Sequence, residues 1–511
     1  MSGAAAAAPW IAGRAALASR GAVLVRVVLL ALVVRAAIFP FADNKHGDAP
    51  MRALIAERIA QDPASAANPR TFCQFGPLHM LLMAPFVALD HDLPRSSREL
   101  SLLAGMLTFL PFMRLARRLV GDGPAELAGI GLAASPLHVQ ASTTAASEAL
   151  YLLLFVAMLE RLVRCLDDDA APFGGYAVAG ALASLAAVTR YDAWIALPAT
   201  VAAVWLFARG QAGPARARRA RGLALFGATA ASLPIAWMVW NALRTDDAIF
   251  FFHYISHDHA QLAAAALSRF GAVLGRARQL GIWALSFTAA MTPLLAFAAL
   301  RAAPSASAAR ANGAARVVLV AALAPIALYL AQGLGRLSFE PLPRFAIVPG
   351  TLLLPFAAAV IAPGRLPARV LVPVLAASFA VGAFVIACAG HARIWAGAES
   401  VGALTRLDGE DRALAAYLRA HRAPHERVMI EPVSFAEIGI AAAAGVPETE
   451  MVTLTITREP AATLAETARG TGARWIAALE DERPTRWTRR LPDWPGDAQA
   501  LELGRWRLVH R

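Results

Sequence analysis

Long apolar runs separated by short polar breaks dominate the first 390 residues. The first run, Gly21 to Phe41, follows Arg14 and Arg20. At about 20 residues it is long enough to cross roughly 30 Å of hydrocarbon. No small-residue cleavage site follows it, so it reads as a retained first span rather than a removed signal peptide. Further runs at 98–120, 124–140, 145–166, 173–189, 191–208, 221–242, 279–300, 316–334, 343–362 and 367–390 predict membrane-spanning helices. One run, 75–90, is short and contains Pro77, His79 and Pro85.

The sidedness of the arginines assigns that run. Lys and Arg in short loops are retained on the cytoplasmic side. If 75–90 lies at the outer interface without crossing, then Arg114, Arg117, Arg118, Arg161, Arg164, Arg209, Arg216, Arg218, Arg219, Arg221, Arg301, Arg310, Arg316, Arg365 and Arg369 all fall inside. If it crosses, all of them face outward. The chain therefore reads as a mainly α polytopic protein of about 11 spans, with the N-terminus cytoplasmic and the C-terminus outside. Long outer loops cover 42–97 and 243–278, with a shorter one at 335–342. Loops of this length tend to be functional.

Composition agrees. Of 511 residues 58% are hydrophobic and 16% charged, against about 25% charged in an average soluble chain. That excludes a disordered chain, a collagen, a disulfide scaffold and a typical cytosolic enzyme. The net charge of +12 raises the question of nucleic acid. The arginines are accounted for by sidedness, however, and no aromatic–basic surface accompanies them. Cys73, Cys165 and Cys388 lie far apart, without metal-ligand spacing.

After residue 390 the composition becomes that of a soluble domain. Helical patterns at 409–420 and 460–468 alternate with strand patterns at 427–430, 451–457 and 474–479, which predicts a small extracytoplasmic α/β domain over 391–511. It carries no nucleotide-binding glycine motif.

Asp48 is the first candidate for chemistry. It closes the segment Asp43-Asn44-Lys45-His46-Gly47-Asp48 just beyond the first span. Met51, Leu54, Ile55 and Ile59 follow at helical spacing, with Arg52 and Arg58 off the stripe, as in a helix lying on a membrane surface. Asp is also a favoured N-cap, and Pro50 suits a first turn, so Asp48 reads equally well as a cap. Glu148, at the outer end of a span, is the second acid. An ionised group near hydrocarbon usually faces a cavity or a partner, the rival reading being a hydrated interfacial acid. Arg190 lies in a tight outer turn beside Tyr191 and Asp192, and Arg344 follows Glu340 at the outer start of a span. Both arginines could equally snorkel to the interface or pair with Asp192 or Glu340. His138 lies near Glu148 in sequence, and His253, His257 and His259 have spacing that permits a metal site.

These residues, in this order and on this side, resemble the GT-C class of membrane glycosyltransferases near the family 39 group. That group includes protein O-mannosyltransferases and the bacterial enzyme that adds aminoarabinose to lipid A. The resemblance rests on Gly47-Asp48 before a surface helix, Gly76-Pro77-Leu78, Ser135-Pro136 with Glu148, Thr189-Arg190-Tyr191, Asn241-Ala242-Leu243 leading to Ile249-Phe250-Phe251, and Pro343-Arg344-Phe345. It departs from many relatives in one respect: Ala49 follows Asp48 where they have a second acid, which leaves that role to Glu148 or Asp43.

The resemblance implies a catalytic membrane domain over 1–390 and a multi-pass protein of a bacterial inner membrane with its site on the periplasmic side. It implies a polyprenyl-phosphate-linked sugar donor and a lipid, glycan or protein acceptor. Asp48 would be the general base for an inverting transfer, with Glu148 beside it. Lys45, His46, His138, Arg190, Tyr191, Glu340 and Arg344 are the expected substrate-binding residues. The resemblance specifies no cofactor and leaves a divalent metal open. A secondary transporter or flippase is the main rival, but such proteins commonly show two related halves and a midplane site, neither of which is visible here. A non-catalytic assembly protein is the third reading.

The orientation has a direct check. Single cysteines introduced in 42–97 should react with a membrane-impermeant maleimide added outside sealed cells. Labelling only after lysis would reverse the topology.

Overall fold

The computed structural model describes residues 8–42, 48–90, 92–168, 170–209, 214–302, 313–336, 341–361, 370, 373–381, 407, 409–431, 436–452, 470–479 and 500–510. Helix α1 (Ala8–Ile38) buries Val27 and Ala31 while leaving Val25, Leu29, Leu32 and Val33 exposed. Such an apolar exterior suits hydrocarbon rather than water. The stretch between α1 and the next long apolar helix holds α2 (Ala49–Gln61), α3 (Pro77–Leu89) and the start of α4 (Leu93–Leu107). Helix α4 runs through Thr108 into α5 (Phe109–Val120). There follow α6 (Asp122–Ala134), α7 (Pro136–Thr143), α8 (Ser147–Asp167), α9 (Phe173–Thr189), α10 (Ala193–Arg209) and α11 (Pro214–Thr245). Then come α12 (Phe250–Met291), α13 (Pro293–Ala302), α14 (Gly313–Leu330) and α15 (Ile347–Ile361).

Five helical stretches among the described residues are long and apolar enough to cross a membrane: Gly21–Ile38, Leu93–Val120, Arg216–Thr245, Gly313–Gly335 and Pro343–Ile361. Shorter apolar helices occupy Pro77–Leu89, Phe173–Thr189 and Ala193–Leu206. Most of the expected last span, 367–390, lies outside the described residues.

Two expected spans are broken. The run 124–140 divides at Ser135, and 279–300 divides at Thr292, where φ is 71° and Pro293 starts a helix bent by 107° from the one before. Breaks inside an apolar bundle survive only if the released backbone groups find partners. Here they do. Ser135 Oγ accepts from His138 N–H at 3.3 Å and donates to the Ala290 carbonyl at 2.7 Å. Ser378 Oγ accepts the Leu294 N–H at 2.9 Å and donates to Thr292 Oγ1 at 3.1 Å. The two breaks thus support one another.

Close helix contact in lipid depends on small residues. Helices α9 and α11 meet at Gly180, where a Cβ would stand 2.6 Å from the Phe226 carbonyl oxygen. One turn on, Ser184 Oγ lies 3.3 Å from Ser232 Oγ and accepts the Leu233 N–H.

The C-terminal part forms a mixed sheet with β1 (Val428–Ile430), β2 (Met451–Val452), β3 (Trp475–Leu479), β4 (Ala500–Leu503) and β5 (Trp506–His510). Their order is β2-β1-β3-β5-β4, parallel across the first three strands and antiparallel beyond. Helices α16 (Gly409–His421) and α17 (Ala436–Ala443) pack with it. The expected helix at 460–468 lies outside the described residues. The β4–β5 hairpin, turning at Gly504 with φ 64°, had no clear signal in the sequence pattern.

Helix α2 departs from the surface-helix expectation. Leu54 is buried in the core of the C-terminal domain with Leu414, Leu418, Val428 and Trp506. Ile55 and Ile59 pack instead with Phe72, Phe75, Met80 and Met83. The apolar stripe is therefore buried by protein on two sides, and no lipid surface is needed to cover it.

Leu54→Ala should open a cavity under α2 and cost about 2–5 kcal/mol of local stability. Hydrogen exchange of α2 and α17 should quicken together. If only α2 responds, the two are not a shared core.

Candidate functional site

The sequence places Asp48 at the N-cap position of α2, yet its side chain makes no capping bond. The carboxylate turns elsewhere. Oδ2 accepts from Arg344 Nη1 at 2.7 Å and from Arg52 Nη2 at 3.0 Å. No bond to Oδ1 is made among the described residues. Arg52, one turn along α2, is only 4% exposed. Its guanidinium lies over the Phe75 ring at 4.6 Å and reaches within 4.0 Å of Glu148 Oε2. Arg52, off the apolar stripe in the sequence, is thus turned into the protein rather than left at a membrane surface. Spacing by four residues lets it pair with Asp48, and the aromatic face supports its charge.

Glu148 opens α8, where the helix dipole favours an acid. It is buried, not hydrated at an interface: its side chain is 6% exposed. Oε1 accepts from Arg190 Nη1 at 2.5 Å and lies 3.8 Å from Arg344 Nε. Its Oε2 is buried without a hydrogen bond among the described residues. Arg190 also donates to Asp192 Oδ2 at 2.7 Å and to Ser147 Oγ at 3.3 Å. Asp192 Oδ1 accepts from the Tyr329 hydroxyl at 2.5 Å.

Three arginines and three carboxylates thus form one chain: Arg52, Asp48, Arg344, Glu148, Arg190, Asp192. Burial by itself pushes the Asp48 carboxyl up, but Arg344 and Arg52 outweigh it and hold the carboxyl below its ordinary value. Asp48 is therefore an anion at neutral pH. For Arg190, burial disfavours the charge, but Asp192 and Glu148 raise its pKa and keep it cationic.

The cluster borders a cleft between α8, α10, α14 and α15. Glu148, Tyr151, Arg190, Asp192, Tyr329 and Arg344 supply polar groups, while Ala196, Ala321, Pro325, Phe345, Ile347 and Val348 make the rest apolar. Asp48 reaches this cleft through Arg344 rather than by lining it.

Backbone anchors hold the cluster. Ser101 Oγ donates to the Ala146 carbonyl at 2.9 Å, just before Glu148, and lies 3.3 Å from His79 Nε2. Burial, then Arg52, pushes His79 down to about 3, so it stays neutral. Arg98 Nη1 donates to the Phe39 and Ala42 carbonyls at 2.7 and 2.5 Å, at the start of the segment leading to Asp48. The Tyr191 hydroxyl donates to the Phe75 carbonyl at 3.1 Å and accepts from Trp237 Nε1 at 3.1 Å.

The other expected residues scatter. His138 is buried with Nδ1 2.6 Å from Arg35 Nη2, a separate group from the acidic cluster. Tyr191 stacks on Phe251 at 4.2 Å and serves the backbone anchor above. Exposed His253 pairs with Asp247 at 2.8 Å, and the His259 ring lies 6.0 Å from Phe345. The side chain of His257, together with Lys45, His46 and Glu340, lies outside the described residues. Among the described residues no group of three or more His, Cys, Asp or Glu is arranged to hold a metal. Sequence reasoning missed Arg52 and Tyr329. The i,i+4 spacing from Asp48 could have found the first; the second is one tyrosine in an apolar run.

Comparison with known proteins gives the fold. A family profile described as dolichyl-phosphate-mannose-protein mannosyltransferase matches residues 74–240, a stretch that holds Glu148 and Arg190 but neither Asp48 nor Arg344. ArnT from Cupriavidus metallidurans bound to undecaprenyl phosphate is similar with a TM-score of 0.61 at 16% identity, covering 95% of this chain and 97% of that one. Its apo state gives 0.62 at 18% identity, covering 96% and 98%. The archaeal oligosaccharyltransferase AglB from Archaeoglobus fulgidus, in complex with an inhibitory peptide and a dolichol-phosphate, gives 0.57 at 13% identity, covering 90% and 69%. No curated protein matches by sequence. The resemblance to GT-C glycosyltransferases is thus present at the level of both profile and fold.

Gly76 gives a test of how the arginine turn is held. A Cβ there would lie 2.4 Å from the Val188 carbonyl oxygen and 2.7 Å from that of Thr189, both backbone atoms just before Arg190. Gly76→Ala should lower the melting temperature, since overpacking costs about 1–3 kcal/mol. It should also cut turnover by displacing the turn. Wild-type melting and activity would mean that the Arg190 turn is not rigidly seated.

Proposed function

We propose that this chain is an integral-membrane glycosyltransferase. It moves a sugar from a polyprenyl-phosphate donor to an acceptor hydroxyl at the outer face of the membrane. The observation that carries the reading is a partly buried carboxylate, Asp48, bridged by Arg344 to a cleft whose walls are partly cationic and partly apolar. A lipid-linked phosphate has the same two-part character. Solved structures of the same fold hold undecaprenyl phosphate and dolichol-phosphate, which supports the donor class.

In this reading the acceptor oxygen attacks the anomeric carbon from the face opposite the phosphate. Its proton passes to Asp48, a general base that is ionised at neutral pH. The bond from the anomeric carbon to the phosphate oxygen breaks, and the electron pair leaves with the phosphate. Phosphate is a good leaving group, so fixed positive charge matters more than a general acid. Arg344 and Arg190 supply that charge at little cost of reorganisation, because the carboxylates around them already hold their orientation. Glu148 fixes both arginines through Oε1 and offers its unbonded Oε2 to a sugar or acceptor hydroxyl. Tyr329 holds Asp192 and so the far side of Arg190. The C-terminal domain, through Leu54, fixes the helix that begins at Asp48. No step here requires a metal.

Purified Asp48→Asn protein, given radiolabelled polyprenyl-phosphate sugar and acceptor, should retain its fold and lose transfer by about 10²–10⁴-fold. Turnover near that of the wild type would remove Asp48 from the chemistry.

A further inference from the structure

In the structure, the cation best placed to meet the donor phosphate is already engaged by the base. Arg344 bonds Asp48 Oδ2 at 2.7 Å, closer than its 3.8 Å approach to Glu148, and it also lines the cleft. Arg52 bonds the same Oδ2 from the same helix, four residues on. We propose that the Asp48 carboxylate is an internal stand-in for the donor phosphate: phosphate binding takes Arg344 from Asp48, and departure of the phosphate returns it. The inference rests on the glycosyltransferase reading above and names the order of events at that site.

Charge counting makes the exchange physically coherent. Among the described residues, the three arginines and three carboxylates of the cluster balance in formal charge before any ligand arrives. A sugar-phosphate diester brings one further negative charge, so a cation must be shared anew. When Arg344 turns to the phosphate, Asp48 keeps Arg52, which holds the carboxylate in place, and loses the partner that most suppressed its basicity. The base becomes competent only once the donor is seated.

Transfer then moves charge in the same direction as Arg344. The acceptor O–H proton neutralises Asp48 while the broken glycosidic bond leaves an extra negative charge on the phosphate. Afterwards Asp48 gives its proton to water, becomes anionic again and competes for Arg344, which assists release of the polyprenyl phosphate. Buried charge pairs lose much when one partner is left alone, so this hand-over keeps every charge answered at each stage.

The experiment measures binding of sugar-free polyprenyl phosphate to wild type, Asp48→Asn, Arg344→Gln and the double variant in detergent micelles. Turnover of each is read alongside. Asp48→Asn should bind the phosphate about tenfold tighter or more, because its competitor has lost its charge. In the Arg344→Gln background the same change should bring little gain, which marks the coupling as specific to that pair. Unchanged or weaker binding by Asp48→Asn overturns the exchange, as does a full gain that persists without Arg344, since that is only removal of a nearby negative charge. If Asp48→Asn does not fold, Asp48→Ala carries the same comparison. The two ideas fail separately. Normal turnover in Asp48→Asn removes the base, whereas lost turnover with unaltered phosphate binding removes only the exchange.

Discussion

An ionised group withdrawn from water must meet its opposite, and this molecule is arranged around that requirement. Asp48, Glu148 and Asp192 come from separate points of the chain, as do Arg52, Arg190 and Arg344. Glu148 is buried, Asp48 and Asp192 are partly buried, and each is answered by at least one guanidinium. Breaking a buried pair by removing one partner costs about 3–5 kcal/mol. The ends of α2, α8, α9 and α15 are therefore not free to drift apart. The same linkage that stabilises this end of the bundle also keeps a carboxylate and several cations charged beside a cleft.

The irregular backbone serves the cluster. Ser101 ties the turn before Glu148, Arg98 ties the segment leading to Asp48, and Tyr191 ties the Phe75–Gly76 approach to the Arg190 turn. Away from the charges, hydroxyls serve both breaks: Ser135 takes the His138 N–H and donates to the Ala290 carbonyl, and Ser378 takes the Leu294 N–H beside Thr292. Non-helical backbone at membrane depth is tolerated only where protein or a wet cavity receives it. Here the described breaks are received by neighbouring helices, and that lets α13 turn away without leaving unpaired groups in hydrocarbon.

The C-terminal sheet acts on the site from a distance. Leu54 belongs to its core while Ile55, the next residue, belongs to the membrane-side cluster. One helix of thirteen residues is thus shared by two cores, with Asp48 at its head. Any motion of the sheet domain that strained Leu54 would reach Asp48 and Arg52 through that helix.

The sequence by itself determined the broad class. Apolar runs predict a polytopic helical protein, and the order of short motifs pointed to GT-C glycosyltransferases, a resemblance that profile and fold support. Asp48, Glu148, Arg190 and Arg344 were legible as polar groups misplaced beside hydrocarbon, because such placement is costly without a purpose. What the tertiary structure decided is which of them meet. Arg52 lay off the apolar stripe in the sequence, and only the packing of α2 between two cores turned it inward. His138 looked close to Glu148 in sequence, but the break at Ser135 gives it to Arg35. Periodicity reports which face of a helix is apolar, not what covers it. Pairing of charges across 296 residues, as between Arg344 and Asp48, depends on the whole bundle closing and leaves no local trace in the chain.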